Sequence, residues 1–296
     1  MTRYRFVGLA ALFLAATFAA TVSASAADPT KIVLIAGRPS HGPGDHEFNA
    51  GCKLLAKCLA QVPGVEPVVV AGGWPADESV FDGAKALIFF MDGGAGHPAI
   101  QGDHLAKLQK LADKGVGLGF MHYAVEVPKG EPGDKFRDWI GGYYETYFST
   151  NPHWKAEIES LPEHPVTRGV EPFAVVDEWY YNIRFRPEMK GITPILVAKP
   201  DDQTRDTSHT SPAGPLKHVQ EAKGRPEVLA WVVERPDGGR GYGFTGGHAH
   251  KNWGDPNFRK LNLNAILWTA GLDVPAAGVA SEVSPEDLKQ NLDPKK

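Results

Sequence analysis

The sequence predicts an α/β protein whose mostly parallel sheet is covered on both faces. Short apolar runs alternate with amphipathic helical patterns through the first half of the chain. Those runs are almost continuously apolar, as strands buried on both sides are, and do not alternate as half-exposed strands do. A third observation bears on function: histidines and carboxylates recur directly after the strands.

The chain opens with a short basic stretch, Arg3 and Arg5, followed by an apolar run from Phe6 to about Val22 and the small-residue pattern Ala24-Ser25-Ala26. This is the pattern of a cleaved secretory leader over residues 1–26, which predicts export, to the periplasm, and a mature chain of about 270 residues. No later run reaches the 18 or so apolar residues of a spanning helix, so the mature chain is not expected to insert in a membrane. Without the two leader arginines, 29 basic residues stand against 35 acidic ones, a net charge of −6. There is no basic stripe of the kind nucleic-acid binding needs.

Residues 27–274 read as one domain. Lys31–Gly37 is a short buried strand. Phe48, Cys52, Leu55 and Leu59 follow at 4-3-4 spacing, an amphipathic helix. Cys52 and Cys58 on that helix would lie roughly 9 Å apart, too far for a disulfide. Further strands are predicted at 66–71, 84–91 and 116–121, with a helix around Leu105, Leu108 and Ala112 between the last two. Beyond Trp154 short strands recur at 173–176, 192–198, 228–234 and 240–245, separated by Pro/Gly/Asp turns. Asp255-Pro256 starts a final helix carrying Phe258, Leu261, Ala265, Trp268 and Leu272. Residues 200–226 read as a polar loop, and 275–296 as a solvated polar tail.

The polar residues at the strand ends are the candidates for chemistry. His41 and His46 follow the first strand, Asp92 the third, and His122 the fourth; Asp177 and Glu178 close the stretch from Phe173; His248 and His250 close the strand from Arg240. In open α/β sheets ligands bind outside the carboxyl ends of the strands, so these clusters are expected to meet in one crevice. His104, His164, His209 and His218 lie on a helix face or in polar loops and are read as structural or solvated. Gly241-Tyr-Gly-Phe-Thr-Gly246 matches G-x-G-x-x-G, but no helix opens after it, so no nicotinamide cofactor is expected; its glycines are expected to let the backbone turn before His248. There is no G-x-S-x-G, P-loop or H-E-x-x-H.

The stretches GLGFMHYA (117–124), HPVTRGV (164–170), DEWYYN (177–182) and GRGYGFTGGHAHKNW (239–253), in this order and spacing, resemble the ThuA-like (trehalose utilisation) family. The resemblance spans roughly residues 31–272. It implies a flavodoxin-like three-layer sandwich of the class I glutamine amidotransferase type, in which 117–124 matches the turn that carries a catalytic cysteine. Here His122 stands at about that place, so the scaffold is expected to carry a different chemistry. The resemblance further implies sugar catabolism, notably of oxidised (3-keto) disaccharides, and a divalent metal, zinc or a similar ion, held by His41, His122 and His248. Glu178 is then expected as general base, with His122 in the catalytic set and His46 or His250 as acid. Asp92, His153, Asp177, Trp179, Tyr181 and Trp253 are expected to face a small-molecule carbohydrate. A non-catalytic carbohydrate-binding or accessory protein, and a metal-dependent hydrolase of unoxidised glycosides or esters, stay open as alternatives.

Overall fold

The computed structural model describes residues 1–2, 28–207 and 215–295, so nearly all of the leader expected over 1–26, and His209, lie outside the described residues. The chain runs β1 (Thr30–Ala36), α1 (Phe48–Leu59), β2 (Val65–Val70), β3 (Ala86–Phe90), α2 (His104–Ala112), β4 (Gly117–Met121), α3 (Glu131–Ile140), β5 (Gly142–Tyr143) and β6 (His153–Ile158). It continues through β7 (Phe173–Glu178), β8 (Arg184–Phe185), β9 (Ile192–Ala198), α4 (Asp202–Thr207), α5 (Lys217–Gln220), β10 (Glu227–Glu234), β11 (Arg240–Phe244) and α6 (Pro256–Thr269).

Seven strands form the central sheet in the order β2-β1-β3-β4-β11-β10-β9. The first five are parallel; β10 and β9 join antiparallel at the β11 side. Because β1, β3, β4 and β11 run the same way, their carboxyl ends open on one edge of the sheet. The apolar runs behave as expected: every residue of β3 and β4 is buried. Helix α1 lays Phe48, Cys52, Leu55 and Leu59 on one face of the sheet, and its two cysteines are free and buried. Helices α2 and α3 pack through Leu108, Phe136 and Trp139 into a second apolar cluster on the other.

The stretch from Phe173 departs from the expectation. As β7 it pairs with β6, antiparallel, in a separate two-stranded ribbon. Both strands alternate in burial, with Trp154, Ala156, Ile158, Phe173 and Val175 turned to the core. A two-residue period marks a ribbon with one covered face, not a doubly covered sheet strand. In 200–226, two short helices, α4 and α5, stand where a loop was expected.

The glycines of the 241–246 stretch serve packing. A Cβ on Gly241 would lie 2.2 Å from the Trp139 carbonyl oxygen, and one on Gly243 2.2 Å from the Trp231 ring. Only the following Gly247, at φ +110°, makes the turn to His248.

The segment after Val274 is not a free tail. The Val279 N–H donates to Asn264 Oδ1 at 2.8 Å and the Asp293 N–H to Glu47 Oε2 at 2.7 Å. Lys295 reaches the Asp45 carbonyl and pairs with buried Glu47 at 3.3 Å. It straps α1 and the loop that carries His46. Among the described residues no helix is long and apolar enough to cross a membrane.

Candidate active site

All five expected clusters meet at the carboxyl edge of the sheet. Three of the histidines there, His41 (φ 60°), His46 (φ 47°) and His122 (φ 54°), hold left-handed backbone. Such a conformation costs a non-glycine residue about 1–3 kcal/mol and persists where the surroundings impose it. For His122 the cause is the abrupt change from β4 into the helical turn His122–Val125.

His122 is fully buried, and its Nδ1 lies 3.0 Å from the Thr245 carbonyl at the end of β11. A carbonyl only accepts, so Nδ1 carries the proton and Nε2 presents a lone pair. Burial holds this imidazole well below its ordinary pKa. His46 is equally buried; its Nδ1–H donates to Asp92 Oδ1 at 2.9 Å, which leaves its own Nε2 as a lone pair. Burial first, then the charges of His41 and His248, push its pKa down to about 2. The two Nε2 atoms stand 3.0 Å apart. His248 Nδ1 lies 2.9 Å from His46 Nε2 and 3.1 Å from Glu178 Oε2, which is itself 3.5 Å from His122 Nε2. Burial raises Glu178, but hydrogen bonding to His248 and the imidazole charges outweigh it and keep the carboxyl below its usual range.

Two neutral imidazole lone pairs facing each other at 3.0 Å repel. A proton on His248 satisfies His46 from one side and leaves the His46–His122 contact unresolved. The Tyr180 hydroxyl comes only to 3.4 Å of His122 Nε2. A cation among these atoms would remove the conflict, and the donor atoms of His46, His122, His248 and Glu178 all lie within 4.8 Å of one another. Three imidazoles with an open position beside a carboxylate suit zinc or a similar divalent ion. The Asp92–His46 and Thr245–His122 contacts would orient such ligands from outside.

Of the expected trio, His122 and His248 meet, joined by His46; His41 falls instead with His46 and Asp92 in a second group of possible ligands. His41 is exposed, outside the four, its ring 3.6 Å from that of His46 and its Nδ1 3.0 Å from Ser40 Oγ. His46 takes the inner place because its backbone N–H is tied to the His248 carbonyl at 2.9 Å, which draws it beneath the loop.

A polar cavity of about 170 Å³ opens beside the cluster, lined among others by His41, His46, Glu178, Tyr123, Tyr144 and Glu126. Glu178 is oriented there by Asn151, whose Nδ2 donates to Oε1 at 3.0 Å. Three aromatic residues expected on the ligand are elsewhere. Trp179, Tyr181 and Trp253 are fully buried in the core, with Trp179 Nε1 on the Val175 carbonyl at 3.0 Å. Strand alternation explains the first two: Glu178 and Tyr180 face the cavity, so Trp179 and Tyr181 face away. Asp177 is buried. Its carboxylate accepts from the N–H groups of Gly247, Ala249 and Glu178, so it positions the His248 loop. His153 and His250 line a separate depression of about 480 Å³, which His248 also borders, outside the four-residue cluster.

Glu126, Tyr123, Tyr144, Asn151 and Tyr180 line the cavity without having been singled out as candidates. For Tyr180 the signal was present, two residues after Glu178 on the same face. For Glu126 it was a lone acid in the apolar run Ala124-Val-Glu-Val127.

Fold and site together define an open-sheet α/β protein with a histidine–carboxylate cluster at the carboxyl edge of its sheet. The profile of the trehalose utilisation (ThuA) family matches residues 35–269, and the chain belongs to that family. Two solved structures share its fold. A ThuA-like protein from Bacteroides uniformis ATCC 8492 is 15% identical, with a TM-score of 0.57 over 84% of this chain and 95% of that one. A second, from Parabacteroides merdae ATCC 43184, is also 15% identical, with a TM-score of 0.56 over 84% and 92%. A glutamine amidotransferase from Methylobacillus flagellatus aligns over 91% of this chain and 96% of its own at 14% identity, with a TM-score of 0.39. No curated protein matches the chain.

Proposed function

We propose that this protein is an exported, metal-assisted sugar-processing enzyme acting by acid/base chemistry on oxidised (3-keto) glycosides. The observation that carries the proposal is the convergence of His46, His122, His248 and Glu178 beside a polar cavity; the family's association with trehalose utilisation supports a sugar ligand. His46, His122 and His248 would hold the ion, which would supply Lewis-acid polarisation of a sugar carbonyl. Glu178 lines the cavity and is fixed by Asn151, so its carboxylate is placed to take the proton from the carbon next to a 3-keto group. Tyr123, Tyr144 and Tyr180 offer hydroxyls to the sugar. The leader pattern supports export, which N-terminal sequencing of protein recovered after secretion tests.

Elemental analysis before and after chelation, with turnover assays on methyl 3-keto-glucopyranoside and on its unoxidised parent, tests the chemistry. Close to one equivalent of metal and turnover of the keto sugar alone are expected. Turnover of the unoxidised glycoside would replace the proposal with plain hydrolysis. Binding without turnover of either would leave a carbohydrate-binding protein.

A further inference from the structure

A second carboxyl faces the cavity, and none of the histidine contacts uses it. Glu126 follows the turn that carries His122. Its N–H donates to the Tyr123 carbonyl at 3.0 Å, and its own carbonyl accepts the Gly94 N–H at 2.9 Å. The neighbouring Val125 carbonyl accepts the Tyr144 N–H at 2.9 Å. The backbone is thus pinned between the loop after β3 and the segment after β5. The side chain enters the cavity, where Oε1 accepts from Thr146 Oγ1 at 2.8 Å. Among the described residues Glu126 makes no ion pair.

The other titratable groups on the cavity are Glu178, His41, His46 and the phenols of Tyr123, Tyr144 and Tyr180. Burial pushes all three phenols up, so they stay neutral. Burial, and after it the negative charge of Glu178, pushes the Glu126 carboxyl up to about 7, against the Thr146 hydrogen bond. One cavity thus holds two carboxyls in different settings, Glu178 against the imidazoles and Glu126 against the Thr146 hydroxyl, an arrangement in which a base and an acid face one ligand.

We propose that Glu126 is the acid of this site, placed by the turn after β4 to give its proton to the glycosidic oxygen of a sugar bound in the cavity. The proposal rests on the sugar chemistry above. As Glu178 takes the proton from C2 of a 3-keto glycoside, that electron pair forms the C1=C2 bond and the C1–O bond breaks. The pair left on the departing oxygen takes the Glu126 proton, giving a free alcohol and an unsaturated keto sugar. Proton exchange with water then resets both carboxyls, with no net oxidation.

The test compares Glu126→Gln and Glu126→Asp with the wild-type protein. Glu126→Gln is expected to retain metal and substrate KM within a few-fold and to lose about 100-fold or more in kcat on the methyl 3-keto glycoside. It should keep most of its rate on the 4-nitrophenyl analogue, whose leaving group needs no proton, and Glu126→Asp should recover part of the loss. Equal losses on both substrates, or none on either, would overturn the assignment. Infrared spectra of metal-free protein near pH 6 give an independent readout: a protonated-carboxyl band absent from Glu126→Gln is expected. A wild-type spectrum without that band would remove Glu126 as proton carrier whatever the substrate. A wild-type protein that turns over no 3-keto glycoside would instead defeat the sugar reading, while the infrared result still decides where the proton sits.

Discussion

The histidine centre and helix α6 both bury polar side chains, and they treat them in opposite ways. In α6 the buried side chains of Arg259, Asn262 and Asn264 each find partners, while the Thr269 hydroxyl does not. Asn262 accepts from the Tyr242 hydroxyl and donates to the Phe258 carbonyl, both at 2.8 Å. Asn264 donates to the Val166 and Arg168 carbonyls and accepts the Val279 N–H. Arg259 is shared among the Trp253 and Gly254 carbonyls and Ser281. At the carboxyl edge of the sheet two acceptors face each other at 3.0 Å on strained backbone. Matched buried polarity stabilises and fixes register; mismatched buried polarity marks a place where the fold holds groups ready for something else.

Three measurements would break or sharpen this contrast. The largest effect is expected from His122→Ala, which removes one of the three imidazoles. Its metal affinity should fall by more than about 100-fold, beyond the 10–100-fold typical of losing an outer-sphere partner, as titration with zinc or cobalt would show. Its metal-free stability should drop less than that of Asn264→Ala, because a repulsive contact leaves with the ring.

Asn264→Ala should cost about 2–4 kcal/mol in urea unfolding, since two carbonyls and the Val279 N–H lose their buried partner. Its metal content should stay at the wild-type level. Equal stability losses in the two variants would erase the distinction between the two regions.

The smallest effect concerns pH. Glu126 titrates at about 7 when folded and at about 4.5, the ordinary glutamate value, when unfolded. Between those values the folded state holds the extra proton, so this carboxyl's contribution to stability falls as pH rises from about 4.5 to about 7. The wild-type protein should lose on the order of 2 kcal/mol across that window relative to Glu126→Gln, measured by unfolding at each pH. Parallel pH profiles for the two proteins would mean that Glu126 is ionised throughout.

Much of the fold was legible because its signals are local. The apolar runs of β1 and β3, the 4-3-4 spacing of α1 and the Asp255-Pro256 start of α6 depend on neighbours within a few residues. Asp255 Oδ1 does accept from the N–H groups of Asn257 and Phe258, both at 2.9 Å. Helix α3 escaped because its few apolar residues, Phe136, Trp139 and Ile140, crowd its second half. In the site, His122, His248 and Glu178 were legible from their place after strands. Which of His41 and His46 joins them was not: both lie in one Gly/Pro-rich turn, and His46 is the one drawn in by Asp92 and His248.

The sequence by itself determined an α/β chain of the ThuA family, the strands whose ends carry histidine, and a β4 terminus that delivers His122. Tertiary structure decided which imidazoles meet, sent Trp179, Tyr181 and Trp253 into the core, and turned Glu126 into the cavity beside Glu178. The physical reason is distance along the chain. Periodicity reports which face of an element is buried, whereas the His46–His122 and His46–His248 contacts span 76 and 202 residues and exist only once the sheet has brought its strand ends to one edge.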